Sequence, residues 1–200
     1  MRRKVGLCFI LAGVLCIAGA MALLVYNRHE DTVAEAEAAS FLELVKTEAE
    51  ERALERADSG ETVDPYDPEM TVVEIDGYSY IGYLLIPELG LELPVMSSYQ
   101  YAYLNVSPTR YSGSTKSSDL VICGHNYTSH FGTLKYLSTG DIIYFVDMDG
   151  LTWSYSVAAL EILEPTAIDE MTDSGYALTL FTCTYSGTTR LAVRCIALSD

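Results

Sequence analysis

The pattern of hydrophobic and polar positions changes twice along the chain. Residues 5–26 form an uninterrupted run of 22 uncharged, mostly apolar residues, which as a helix is long enough to cross a hydrocarbon core. Residues 30–58 combine strong helix formers with apolar positions at loosely helical spacing. From residue 70 onward, short apolar runs rich in β-branched and aromatic residues predict strands. The pattern therefore predicts three segments of different structure.

The first segment is interpreted as a membrane anchor. A cleaved signal peptide is the alternative, because Ala18-Gly19-Ala20 offers the small residues of a cleavage site. The apolar run continues to Tyr26, however, where a cleavage region should become polar, which favours an uncleaved helix. The basic residues 2–4 before the run prefer the cytoplasm. We therefore expect residues 1–26 to form a cytoplasmic basic flank and a single-pass anchor, with residues 27–200 outside the cell.

The second segment, residues 27–69, is predicted to be an acidic helical stalk and linker. Its heptad pattern is too broken for a sustained coiled coil, so a solvated spacer is favoured over a dimerising helix. Ser59-Gly60 and the pair Pro65 and Pro68 predict a linker after the helix. The folded domain is expected to span residues 70–200.

The third segment is predicted to be mainly β. About eight strand-like runs are separated by Gly, Pro, Asp and Ser, and no long amphipathic helix lies between them. Only short stretches near residues 98–104 and 131–137 read as helical. This pattern predicts a closed β-barrel or a sandwich, and it disfavours an α/β sheet.

Charge narrows the range of functions. The chain has 200 residues, with 28 acidic against 12 basic side chains and a formal net charge of −16. Such a chain repels the phosphates of nucleic acid, so nucleic-acid binding is disfavoured. The five cysteines are too scattered for a disulfide scaffold, and no C-x-x-C pair or histidine cluster has the spacing of a zinc site. We therefore predict no metal and no cofactor.

A nucleophile and a base can come only from a short list in the β segment. Its histidines are His125 and His130, and its cysteines are Cys123, Cys183 and Cys195. His125 directly follows one predicted strand and Cys183 ends another, where a rigid scaffold can aim side chains into a shared groove. A histidine can supply the charge or the base that converts a thiol to a thiolate. Cys123 and Cys195, inside strands, are interpreted as buried thiols and not as a disulfide, although an extracellular compartment would permit one.

The third candidate is an arginine. Arg190 begins the last strand, seven residues after Cys183, so a tight hairpin would bring its guanidinium beside the thiol as an oxyanion donor. Arg194 points to the same face but is displaced by four residues, roughly 13 Å along the strand. We therefore assign the oxyanion role to Arg190 and expect Arg194 to be a surface or rim residue.

Together these residues resemble a known family. The similarity lies in an N-terminal anchor, the Gly124-His125-Asn126 element, the run Thr179-Leu180-Phe181-Thr182-Cys183 and the following run Arg190-Leu191-Ala192-Val193-Arg194. These elements are similar to those of the sortases, the membrane-anchored cysteine transpeptidases of Gram-positive bacteria. The run from Ile86-Pro87 to Pro94-Val95 resembles the family's early strand pair. The resemblance covers about residues 72–198.

The resemblance implies an eight-stranded sortase β-barrel with His125, Cys183 and Arg190 as catalytic residues. Thr182, Asn126 and Tyr185 are expected to contact the substrate. The implied reaction cleaves an LPxTG-like C-terminal sorting motif through a thioacyl enzyme. An amine from a lipid-linked cell-wall precursor or a pilin lysine then takes the acyl group. Secreted proteins that bear a sorting signal are the implied partners.

Two other functions remain open from the residues alone. The chain could be a membrane-tethered extracellular cysteine protease that only hydrolyses its substrate. It could also be a non-catalytic adaptor that binds peptides, in which case Cys183 would be inert to thiol reagents. The resemblance is to the sortases as a family and not to one subclass.

Overall fold

Helix α1 spans Arg2–Ser59 in the computed structural model, which describes residues 2–60 and 69–198. It contains an 18-residue window with a mean hydropathy of 2.5, so by length and composition α1 is a candidate membrane span. The contacts divide the chain into two compact units, residues 1–33 and residues 34–200. Pro65 and Pro68 of the predicted linker lie outside the described residues.

The part of α1 after residue 33 packs on the barrel domain. Its buried positions recur every three or four residues, as one face of a helix requires: Ala34, Ala38, Leu42, Val45 and Ala49. Val45 and Ala49 share a buried cluster with Tyr80, Met96 and Met148. The interpretation of this stretch as a solvated spacer is therefore wrong.

In the part of the chain described after α1, nine strands form one sheet. In chain order they are β1 (Val73–Ile75), β2 (Tyr78–Ile86), β3 (Leu91–Met96), β4 (Thr109–Ser112), β5 (Leu120–Cys123), β6 (Ile142–Asp147), β7 (Thr152–Leu163), β8 (Leu178–Cys183) and β9 (Arg190–Ala197). Short 3-10 helices lie at Pro87–Leu89, Tyr101–Asn105 and Phe131–Tyr136. A short helix, α2, lies at Ile168–Thr172.

The sheet closes because β2 pairs with both β3 and β6. Around the barrel the order is β2, β3, β4, β5, β8, β9, β7, β6 and back to β2, while β1 lies outside this ring as an edge strand. The prediction of a mainly β, eight-stranded closed barrel is confirmed. The last two strands of the chain, β8 and β9, form an antiparallel hairpin, and β5 lies parallel to β8.

A glycine permits the closure between β2 and β6. Gly82 has a φ of 142°, and a Cβ at this position would lie 2.0 Å from the carbonyl oxygen of Val146 on β6. Only glycine tolerates both this backbone conformation and this close approach. The barrel interior is filled by aliphatic and aromatic side chains, which include Leu84, Phe145 and Leu180.

Candidate active site

The hairpin of β8 and β9 brings a cysteine and an arginine together. Cys183 is the register partner of Arg190, as the sequence predicts. The turn between them is closed by hydrogen bonds: the Thr184 amide donates to the Thr189 carbonyl at 3.0 Å, and the two threonine hydroxyls lie 2.9 Å apart. Because partners in a ladder point to the same face, the thiol and the guanidinium emerge side by side.

The parallel pair of β5 and β8 brings a histidine to the same place. Cys123 on β5 is the partner of Phe181 on β8, so two further steps along both strands set His125 beside Cys183. The Gly124 amide donates to the Phe181 carbonyl at 3.1 Å, and the Thr182 hydroxyl donates to the Gly124 carbonyl at 2.8 Å. These two bonds fix the chain as it leaves β5.

The imidazole of His125 is enclosed on several sides. Its Nε2 lies 3.1 Å from Asn105 Oδ1, and its ring contacts those of Tyr127 and Tyr101, with centroids 4.8 and 5.6 Å away. Burial lowers the pKa of His125 from its ordinary value, because the cation loses solvation. Since an amide oxygen only accepts hydrogen bonds, Nε2 is the donor in this contact and Nδ1 is the basic nitrogen.

One cavity contains all three residues that the sequence predicts to be catalytic. It has a volume of about 240 Å³, and His125, Cys183 and Arg190 line it. Its other walls are mostly apolar and aromatic: Tyr99, Tyr101, Leu104, Tyr111, Cys123, Gly124, Glu164, Pro165, Ala167, Ile168, Met171 and Phe181. Such a surface suits an extended peptide with apolar side chains.

A second cavity lies against the same cysteine. Its volume is about 160 Å³, and Cys183 lines it together with Asn126, Thr182, Tyr185 and Lys135. The three predicted substrate contacts are therefore grouped here and not in the larger cavity. Tyr185 is 99% exposed on the turn, whereas the Thr182 side chain is buried and its hydroxyl is already bonded to Gly124. Cys183 borders both cavities.

Arg190 has no acidic partner in the described part of the chain. Its Nη1 donates only to carbonyls of its own turn, at 3.2 Å to Thr189 and 3.3 Å to Gly187. Every ion pair described involves another basic residue. The cation is therefore available to an anion that forms in the cavity.

The other two cysteines of the domain are buried and unpaired. Burial raises the pKa of both Cys123 and Cys195 to about 12, so both remain neutral thiols near neutral pH. Neither forms a disulfide, in agreement with the interpretation of these residues as buried thiols. Cys183, half-exposed between the cavities, differs from both.

Comparison with known proteins gives the family. The family model of the Sortase domain matches residues 84–197, more than half of the chain. This chain belongs to the sortase family. No curated protein sequence matched this sortase.

Solved structures agree with this assignment. Sortase C1 from Streptococcus suis is 27% identical over 60% of this chain and 74% of that chain, with a TM-score of 0.53. Sortase C from Streptococcus pneumoniae is 24% identical, with 82% and 96% of the two chains covered and a TM-score of 0.55. Sortase C from Clostridium perfringens SM101 is 21% identical, with 80% and 90% covered and a TM-score of 0.53. The latter two likenesses show a shared fold.

Arg194 contradicts the sequence-based expectation. This sortase buries the residue to 2% exposure, so the prediction of a surface or rim position is wrong. Arg194 is the register partner of Thr179 and forms an ion pair with Glu161 at 2.9 Å. Distance from Cys183 argues against a catalytic role for Arg194, but it carries no information about Glu161, which lies on β7 two residues from Ala159, the register partner of Arg194.

Sequence reasoning also missed Asn105 and α2. Asn105 belongs to the 3-10 helix Tyr101–Asn105, and nothing in the local sequence indicates that it meets a histidine 20 residues later. Met171 of α2 is buried in the cavity wall, yet five residues are too few for a recognisable helical period. Only the tertiary fold brings these side chains to the site.

Proposed function

We propose that this sortase is a cysteine transpeptidase that cleaves an LPxTG-like C-terminal sorting motif and transfers the acyl part to an amine. The observation that carries the proposal is the position of Cys183, which borders two cavities. A transfer reaction needs one place for the acyl donor and another for the amine. A single thiol accessible from both cavities can serve both half-reactions.

In the first half-reaction, the Cys183 thiol attacks the carbonyl carbon of the scissile peptide bond. His125 accepts the thiol proton as the S–C bond forms, and the Arg190 guanidinium stabilises the oxyanion. His125 then donates that proton to the leaving amine as the C–N bond breaks. The products are a thioester on Cys183 and the released C-terminal segment.

In the second half-reaction, the acceptor amine attacks the thioester. His125 removes a proton from the attacking amine and returns it to the cysteine sulfur as the S–C bond breaks. A thioester retains much of the reactivity of the cleaved bond, so an amine can form a new amide without another energy source. We expect the larger cavity to hold the acyl donor and the smaller one to admit the amine.

The enclosure of His125 suits a residue that transfers a proton in both directions. Because burial lowers its pKa, the imidazole is predominantly neutral in the free enzyme and can accept a proton from Cys183. The imidazolium that results is poorly solvated and is therefore a good acid toward the leaving amine. In this scheme Cys183 is the nucleophile, Arg190 stabilises the oxyanion, and His125 is in turn the base and the acid.

A transfer assay tests the proposal. Full-length protein in detergent is incubated with a fluorescent sorting-motif peptide, with and without a small amine. We expect an amide of the peptide with the amine and faster release of the C-terminal segment when the amine is present. Cys183→Ala is the matched inactive control. A free carboxylic acid as the sole product, with no gain in rate on adding amine, would instead identify a hydrolytic protease.

The expected location is the cell membrane, with the barrel outside and the N-terminus in the cytoplasm. The long apolar helix and the basic residues before it support this orientation. Protease added to intact cells should release a soluble fragment that begins between residues 27 and 70. A fragment released only after permeabilisation would contradict the orientation. The proposed acceptor is a lipid-linked cell-wall precursor or a pilin lysine.

A further inference from the structure

Arg194 is the most extensively bonded buried cation in the described part of the chain. Its Nε donates to Glu161 Oε2 at 2.9 Å, and its Nη1 donates to Thr179 Oγ1 at 3.1 Å. Its Nη1 also donates to the Met171 carbonyl at 3.3 Å, and its Nη2 donates to the Glu170 carbonyl at 2.7 Å. One guanidinium therefore connects β9 to β7, to β8 and to α2.

The contacts with α2 matter because this helix has little else to hold it. It has five residues and no side-chain N-cap, and Met171 is its one buried residue. A helix this short is unstable by itself, and its last carbonyls need donors from outside the helix. Arg194 donates to two of these carbonyls, so it and the Met171 side chain attach α2 to the barrel.

The segment that Arg194 fixes forms one wall of the larger cavity. Ala167, Ile168 and Met171 line this cavity, whereas the acidic residues of α2, Asp169 and Glu170, do not. The wall that this segment contributes is therefore apolar. Met171 packs with Leu104 and Phe181, which are also wall residues. A shift of α2 would therefore change the apolar surface offered to a peptide without moving Cys183 or Arg190.

We infer that Arg194 is a positioning residue that fixes the α2 wall and so determines which apolar side chain of the peptide this sortase accepts. The inference rests on the proposed function. Arg194 itself does not line the cavity, so it acts through the Glu170 and Met171 carbonyls. Lysine at this position keeps the charge and much of the volume. It lacks the planar fork that reaches Glu161, Thr179 and α2 together.

Steady-state kinetics of Arg194→Lys test the inference. The substrates are sorting-motif peptides in which one position at a time carries alanine. In Arg194→Lys we expect KM for the parent peptide to rise by about tenfold, the lower end of what one apolar contact contributes to discrimination, with kcat within about twofold. Discrimination against alanine should weaken at one motif position and persist at the others.

Two further variants define the mechanism. Thr179→Val removes one acceptor of Arg194 with little change of shape, and it should raise KM in the same direction but less. Arg52→Lys is the matched control, because Arg52 also donates to a backbone carbonyl, that of Met148, far from the cavity lining. It should leave KM unchanged. Amide hydrogen exchange should speed up in residues 164–177 of Arg194→Lys and stay at the wild-type rate in the barrel strands.

The outcomes separate this inference from the proposed function. A wild-type protein that turns over no sorting-motif peptide contradicts the proposed function. Equal exchange in residues 164–177 of wild type and Arg194→Lys contradicts the inference, whether or not peptides are processed. A loss confined to kcat, with KM and discrimination unchanged, also overturns it. Loosened exchange together with raised KM and weakened discrimination supports it.

Discussion

The two ends of the β8–β9 hairpin carry the same pair of residue types in opposite environments. At the turn end, where residues 184–189 join the two strands, Cys183 pairs with Arg190, and both are half-buried at the larger cavity. Toward the other end, Arg194 and Cys195 are 2% and 0% exposed. Arg194 there has four polar partners from three other elements, whereas Arg190 donates only to its own turn.

This difference shows that position in the hairpin determines what each residue type can do. Burial raises the pKa of Cys195 to about 12 and so suppresses its thiolate. The donors of Arg194 are already occupied, so it stabilises the native structure and offers little to a transient charge. At the turn end a thiol remains accessible, and a cation remains without a counter-ion among the described residues. The chemistry is therefore expected at that end only.

The largest expected difference lies between the two cysteines. Cys183→Ala should reduce cleavage and transfer by at least about 10,000-fold, because a methyl group cannot attack a carbonyl. Cys195→Ala should leave turnover per folded molecule within about twofold. The measurement is initial rate on a sorting-motif peptide, normalised to folded protein. Inactivation by Cys195→Ala with an intact Cys183 would reverse the comparison.

The second largest expected difference is in kcat, between variants of Arg190 and variants of Arg194. Arg190→Ala is expected to lower kcat by about 100- to 1,000-fold, the usual effect of losing a principal oxyanion donor. Arg190→Lys should also be impaired, since an ammonium lacks the planar fork. Arg194→Lys, assayed in parallel, should retain kcat. A kcat loss at Arg194 equal to or greater than that at Arg190 would contradict the division of roles.

For the free energy of unfolding we expect the opposite order, with a larger effect at Arg194 than at Arg190. Arg194→Ala leaves the Thr179 hydroxyl and two α2 carbonyls without their donor, and we expect the free energy of unfolding to fall by about 3 kcal/mol. The effect is limited because Glu161 is 41% exposed and can be solvated. Arg190→Ala should change the free energy of unfolding by less than about 0.5 kcal/mol. Denaturant titration of the variants measures both, and a larger effect at Arg190 would be inconsistent with its environment.

The smallest expected effect concerns pH. Burial lowers the pKa of His125 below the ordinary value for histidine. The imidazole therefore becomes protonated only at a pH below that ordinary pKa, and once protonated it can no longer accept the thiol proton. The acid limb of kcat/KM should therefore lie below about pH 6.5. Tyr127→Ala, which uncovers the ring, should move this limb upward. An acid limb that stays in place in Tyr127→Ala would show that His125 is not the group that titrates.

Much of this organisation could be predicted from local sequence. The strand-like runs predict a barrel or a sandwich of about eight strands, and the resemblance to the sortases implies the eight-stranded barrel, which is confirmed. The short interval between Cys183 and Arg190 predicts their pairing, which is also confirmed. Strand β4 has little strand-like pattern in the sequence, because Thr109–Ser112 is short and polar, and it pairs with β3 at one position only. Local sequence carries little signal for so short a strand.

The errors involve contacts between distant segments. Arg194 reads as an exposed charge until Glu161, 33 residues earlier, is placed beside it by the pairing of β7 with β9. The helix before the barrel reads as a spacer until its face at Val45 meets Tyr80 and Met148. A single sequence reports helical or strand periodicity, but it does not report which surface covers an apolar face or neutralises a charge.

Mapping the acyl group by mass spectrometry tests the central claim most directly. Full-length protein is quenched in acid during turnover of a sorting-motif peptide without added amine, then digested and sequenced by fragmentation. The account predicts a thioester on Cys183 that disappears when an amine is supplied, with formation of the corresponding amide. An acyl group on Cys123 or Cys195, or peptide turnover by Cys183→Ala at the wild-type rate, would contradict the claim that the turn end of the hairpin carries the chemistry.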